Sequence, residues 1–248
     1  MLNNYLRFGD DRIEVRYVKS HGRFAKQAFN ALKNASQELS EFFRLTAALP
    51  HVRAVLAPDR AEFDRLVINL LHIDIEIPSH PGRIAQPQKT DIVFLSPPAY
   101  KQHSKWEYNP GMFARLAFHE LTHVFEEYLR PDLENVPWWC GEGLAVYLSG
   151  QWKHDDDLGW RDPILESIEK RTVPDLREIA ADRSLVYDFA WTVVKFIADT
   201  RGREMLSRIV RESTDSGDAF RILGEGVDTF ERKWKNWLVG GENGIKCP

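Results

Sequence analysis

Apolar and polar residues follow two different spacings along this chain, and the changes from one to the other mark its elements. Ile13–Val18 and Val52–Ala57 are short runs that read as strands. Asp91–Leu95 reads the same way, because Ile92, Val93 and Phe94 favour β structure and stop at Ser96-Pro97-Pro98. Arg23–Leu45 reads as a long amphipathic helix and Arg60–Leu71 as a shorter one. Between Asn109 and Arg130, Phe113, Leu116, Ala117, Leu121, Val124, Phe125 and Tyr128 recur at helical spacing, which predicts one long, mostly buried helix. Asn109 suits its cap, Pro110 its first position, and Arg130-Pro131 its stop. Pro137 can open a further helix and Gly150 can close it. A polar stretch, Gln151–Asp162, then reads as a solvated loop, its acidic run Asp155-Asp156-Asp157 included. Helices are expected from Val173-Pro174-Asp175-Leu176, from Tyr187 to Arg201-Gly202, and over Glu204–Glu212, Asp218–Leu223 and Thr229–Leu238. In the last, Phe230, Trp234, Trp237 and Leu238 share a helical face and are assigned to the core.

Inside the Asn109–Arg130 helix lies His119-Glu120-Leu121-Thr122-His123. Two histidines four residues apart project from one face of a helix, where two imidazoles can share a zinc ion. Glu120, one residue after the first histidine, is then placed to take a proton from a metal-activated water. A helix whose histidines only pack or hydrogen-bond is the alternative, and further donors decide between the two.

A catalytic zinc takes three protein ligands and leaves a position for water, so another donor is required. Glu142 meets the requirement. Eighteen residues separate it from His123, enough for a turn at Pro131 and a return of the chain. Gly141 and Gly143 flank it, and glycines are costly in a helix unless close packing or backbone approach needs them. Cys140, two residues earlier, could compete as a thiolate ligand, but a small buried thiol beside Trp139 is the commoner explanation. The remaining histidines, His21, His51, His72, His80, His103 and His154, are scattered without ligand spacing.

At these residues the chain resembles the gluzincin metallopeptidases, in particular the peptidase MA-like domains related to aminopeptidase N and leukotriene hydrolase. That family pairs H-E-x-x-H with a glutamate ligand after eighteen residues, followed by glycine, any residue, alanine and, two further on, tyrosine. His119, Glu120, His123, Glu142, Gly143, Ala145 and Tyr147 match it. The resemblance implies an α+β, zincin-like metallopeptidase fold: a small N-terminal mixed sheet with helices, a metal helix and a mainly helical C-terminal lobe. It implies a single domain over 1–248, with an α/β lobe to about 130 and a helical lobe from about 131. It also implies Zn2+ as cofactor, metal ligands His119, His123 and Glu142, and catalytic Glu120. The family carries a later tyrosine that stabilises the tetrahedral intermediate, and Tyr187-Asp188-Phe189-Ala190-Trp191-Thr192-Val193-Val194 looks like its helix. In gluzincins the strand before the metal helix is the edge on which an extended peptide lies, and the resemblance implies that role for Asp91–Leu95, a core strand with no ligand being the alternative. The family's aminopeptidases hold the free amino terminus with a G-[AG]-M-E-N segment. Asp91 through Met112 contains none, so an endopeptidase acting on a peptide or protein substrate is expected.

Composition narrows the setting. A chain of 248 residues has ample length to bury a core. Its net charge of −4, without a clustered basic face, gives no electrostatic case for nucleic acid. No run of about eighteen apolar residues exists to span a bilayer. The start lacks the apolar core of a signal peptide, and only Cys140 and Cys247 are present, so a cytoplasmic setting is expected. Nothing in the sequence fixes the oligomeric state. Two other classes remain open: a zinc-binding domain that recognises a peptide without turnover, and a metal-free structural domain. An intact Glu120 and Tyr187 favour the enzyme, since a pure binding module has no use for a base.

Overall fold

The computed structural model describes residues 2–45, 51–130, 136–155 and 159–240. Pro131, Asp156, Asp157 and Cys247 lie outside the described residues. The chain is mixed α+β and divides into two compact units. The first comprises Met1–Glu41 and Leu45–Tyr128, and the second Phe42–Arg44 and Leu129–Pro248.

The first unit is built on a five-stranded sheet of order β1-β2-β3-β5-β4, with β1 Leu6–Gly9, β2 Ile13–Tyr17, β3 Val52–Ala57, β4 Ala85–Gln88 and β5 Asp91–Leu95. β2, β3 and β5 run parallel, with Val15 opposite Ala54 and Val55 opposite Val93. The apolar runs of β3 and β5 follow from burial on both faces, which removes the alternation of a one-sided strand. Ala54 to Ala57 and Ile92 to Leu95 are fully buried. Both edge strands are antiparallel to their neighbours. The expectation that Asp91–Leu95 forms the free edge is therefore overturned: β5 lies between β3 and β4, and the polar β4 takes the edge. Leu95 donates its N–H to the Ile84 carbonyl. Counting in twos along the ladder from that bond puts Pro87, opposite Ile92, in a non-hydrogen-bonded pair, where its missing N–H costs the sheet nothing.

Among the described residues the α-helices of this unit are α1 Gly22–Phe42, α2 Arg60–Asn69, the single turn α3 Tyr100–His103, and α4 Pro110–Leu129. α1 turns Phe24, Ala25, Ala28, Leu32, Ala35 and Leu39 inward. α2 is capped by Asp59, whose carboxylate accepts from the Glu62 N–H, and it packs on β3 and β5. The buried Arg60 donates to the carbonyls of Arg83 and His103, and Asp64 accepts from Ser79, which ties down the chain leading into β4. α4 is joined to the sheet by Phe94 and Phe113, 5.5 Å apart, and to α1 through Tyr108, which meets Phe24 edge-on at 5.7 Å.

The second unit is helical: α5 Glu142–Ser149, α6 Gln151–His154, α7 Asp162–Lys170, α8 Leu176–Ala181, α9 Arg183–Arg201, α10 Arg203–Glu212, α11 Ser216–Leu223 and α12 Val227–Val239. α9 is its centre, buried from Phe189 to Ile197 and packed by α5, α7, α8, α10 and α12. Asp182 caps α9, and Asp175 with Glu178 forms a capping box on α8. Phe230, Trp234 and Leu238 of α12 are buried, and Trp237 is half-buried against Phe196. Several boundaries differ from the pattern, among them the start of α9, which lies at Arg183 rather than Tyr187. Pro137 does not open α5, because Pro137–Cys140 forms a turn closed by a Cys140 N–H to Pro137 carbonyl bond. Gln151–His154, expected in a loop, is a helical turn, and α7 follows where no helix was anticipated.

Candidate metal centre

α4 begins as its sequence dictates. The Asn109 carboxamide oxygen accepts from the N–H groups of Gly111 and Met112, at 2.8 and 3.1 Å, and Pro110 occupies the first helical position. The helix then buries Phe113, Ala117, Leu121, Val124 and Phe125, although Tyr128 at its end is exposed. His119 and Glu120 are buried with this face, and His123 is half-buried. The one-turn spacing brings the two imidazoles together: Nε2 of His119 lies 3.2 Å from Nε2 of His123, with the rings 4.9 Å apart and steeply inclined.

That separation suits a shared metal. Two nitrogens each about 2.0–2.1 Å from one tetrahedral zinc stand about 3.3 Å apart, so the pair already spans one edge of such a site. The other ring nitrogen of His123 has a partner as well. Its Nδ1 lies 3.5 Å from Oε2 of Glu126, a buried carboxylate one turn further along the same helix. A carboxylate on Nδ1 favours the tautomer protonated there, which leaves Nε2 as the lone-pair donor. Sequence reasoning missed Glu126, although its place three residues after His123 was a readable signal.

The charge of Glu120 is felt by Tyr100 of its own unit. Tyr100 is fully buried, and burial above all, then Tyr108 and the Glu120 charge, push its phenol far above the ordinary range. It is a neutral hydroxyl at any working pH, and its oxygen has no hydrogen-bond partner among the described residues.

In the second unit, Glu142 is the first residue of α5, and each flanking glycine has its own reason. Gly141 caps the helix at φ 65° and ψ −113°, in the half of conformational space that residues with a Cβ avoid. Gly143 sits so close to α9 that a Cβ would stand 2.7 Å from the backbone of Ala190. Tyr187 precedes Ala190 by one turn of α9 and so shares its face. From there the Tyr187 hydroxyl donates to Oε1 of Glu142 at 3.0 Å. Burial raises the Tyr187 phenol above its ordinary value, the Glu142 charge adds to this, and Arg183 opposes it. Tyr187 lies in the second turn of α9 and keeps 37% of its surface exposed.

No family model matches this chain, and no curated protein is significantly similar to it. The functional reading therefore rests on the residues themselves. The structure brings His119 to His123 on α4, and Glu142 to Tyr187 between α5 and α9. Tyr147 is half-buried on α5, its hydroxyl raised chiefly by burial. Cys140 is a buried thiol beside the fully buried Trp139. Among the described residues, neither Cys140 nor any other histidine joins a group of three or more metal-binding side chains. No helix of the described residues is long and apolar enough to cross a membrane.

Proposed function

We propose that this chain is a zinc-dependent peptidase of the gluzincin type, cleaving within polypeptide chains, with His119, His123 and Glu142 as its zinc ligands and Glu120 as its base. The observation that carries the reading is the histidine pair. Its 3.2 Å separation matches two corners of a zinc tetrahedron, and its second member is backed by a buried carboxylate. His119, His123 and Glu142 are a group that could hold one metal ion, and two imidazoles with one carboxylate are a donor set of catalytic zinc. When bound, zinc supplies Lewis acidity: it polarises the scissile carbonyl and lowers the pKa of water toward neutrality.

The protein's own groups do the rest. Glu120 follows His119 directly, and its carboxylate accepts the proton of the attacking water and passes it to the departing amine. Tyr187, the oxyanion donor that the resemblance implies, already gives its one proton to Oε1 of Glu142. An extended peptide joins the free sheet edge at β4 rather than at β5. There Ala85 offers both backbone groups outward and Pro87 only its carbonyl, so the edge can donate once and accept twice.

The deciding experiment is cleavage of a peptide library by zinc-loaded protein, with chelated protein as control and zinc measured by elemental analysis. About one zinc per chain and chelator-sensitive cleavage of internal bonds are expected. E120Q keeps the size of the side chain but cannot accept the proton. It should retain its zinc and lose turnover by roughly 10²–10⁴-fold. A parent protein that purifies without zinc and takes none up would overturn the reading. One that binds zinc and peptides but cleaves none would be a recognition domain instead.

A further inference from the structure

We propose that Tyr187 is a positioning residue for the third metal ligand: its hydroxyl fixes the Glu142 carboxylate in its coordinating orientation, and so sets the protein's affinity for zinc. The proposal rests on the zinc reading above and assigns Tyr187 a task other than holding the oxyanion.

The argument begins with the ligand. Unlike the two histidines, whose rings have two side-chain torsions each, a glutamate swings its carboxylate on three. The backbone beneath Glu142 is well fixed by the Gly141 turn and by the contact of Gly143 with Ala190. Neither constraint reaches the carboxylate. The position also offers that carboxylate another place to go. Glu142 opens α5, where the first N–H groups of the helix and the positive end of its dipole attract a carboxylate back toward the helix axis.

Tyr187 opposes that retreat. Its hydroxyl lies 3.0 Å from Oε1 of Glu142, and a phenol protonated at neutral pH donates to a carboxylate that can only accept. The donor is itself held. Tyr187 and Ala190 lie one turn apart on one face of α9, so the helix contact that leaves no room for a side chain at position 143 also places the hydroxyl over the glutamate. A carboxylate that accepts one hydrogen bond on Oε1 keeps lone pairs with which to hold a metal. Outer partners of this kind are worth roughly 10–100-fold in metal affinity.

The same geometry bears on the oxyanion role. A phenol has one proton. While that proton lies between Tyr187 and Glu142, it is not available to a substrate oxygen, and releasing it would loosen a ligand during turnover.

The test measures zinc affinity directly, by competition with a chromophoric chelator, for the parent, Y187F, E142A and the double variant, with turnover recorded at saturating zinc. Y187F keeps the ring and deletes the hydroxyl. It should weaken zinc binding by about 10–100-fold. In the E142A background the same substitution should change zinc affinity by less than about twofold, because the hydroxyl acts only through that carboxylate. Equal weakening in both backgrounds would mean a general loosening of the fold and would overturn the proposal. So would a Y187F protein that binds zinc like the parent yet turns over about a hundredfold more slowly, the mark of an oxyanion donor. A parent protein that binds no zinc would overturn the metal reading first, and is told apart because it needs no variant.

Discussion

The two histidines and the glutamate are held in place by different kinds of structure. His119 and His123 stand on one continuous helix of 20 residues, whose repeat brings their ring nitrogens to 3.2 Å. Glu142 stands at the start of a helix of eight residues. Its place depends on a positive-φ glycine before it, a glycine pressed against α9 after it, and a hydroxyl from residue 187, 45 positions along the chain. The pair is a local device and the glutamate a tertiary one. Changes to the packing of the second unit should therefore reach zinc affinity through Glu142, and changes on α4 only through the ligands and their immediate partners.

The largest expected effect is loss of a ligand. H119A or H123A leaves a single imidazole on α4 and should abolish stoichiometric zinc after dialysis against a mild chelator, as measured by elemental analysis. Stability of the metal-free protein should change little for H123A, because that ring is half-buried and its removal leaves α4 otherwise intact. E142A should also lose zinc. If all three variants held zinc as the parent does, the ligand set would be wrong and the contrast between local and tertiary ligands would have no object.

Next in size is G143A, which attacks the tertiary device without touching a ligand. The added Cβ would stand 2.7 Å from Ala190 backbone, a contact that must be relieved by moving α5 away from α9. Overpacking of this kind costs about 1–3 kcal/mol. A lowered melting temperature of the metal-free protein is expected, together with weaker zinc binding, since Glu142 and Tyr187 part as the helices separate. A normal melting point and normal zinc affinity in G143A would show that the α5–α9 contact does not set the ligand.

How much of this could be read from the sequence follows the same division. The helix carrying His119 and His123 was legible because its cap, its stop and its apolar face lie within one stretch of chain. β3 and β5 were legible because burial on both faces writes a continuous apolar run. β4 was not: Ala85-Gln86-Pro87-Gln88 has neither apolar alternation nor a strand composition, and it is a strand because β5 offers it a partner. The edge role expected of β5 came from the family resemblance, and β4 takes that edge instead. The start of α5 was misread because Pro137 is a good first helical residue, whereas the positive φ of Gly141 that begins the helix leaves no mark beyond the glycine itself. The bond from Tyr187 to Glu142 could not be read at all, since no local spacing joins residues on separate helices. Glu126 could have been, from the same helical spacing that revealed the histidines.

Glu126 supplies the smallest and sharpest test, because it is to His123 what Tyr187 is to Glu142, but on the same helix as its ligand. Its Oε2 lies 3.5 Å from Nδ1 of His123, longer than a good hydrogen bond, and the side chain is buried. E126Q preserves shape and removes the charge that steadies the Nδ1 proton. Zinc affinity should fall by about tenfold, the lower end of the range for such partners. Turnover at saturating zinc should change less, since Glu120 and the ligands are untouched. The helix already orients the His123 ring through its backbone, whereas the Glu142 carboxylate has three torsions to fix and takes a hydrogen bond from Tyr187 on another helix. E126Q should therefore weaken zinc binding less than Y187F does in the same chelator competition. The reverse order would mean that the histidines, too, depend on more than the helix they share.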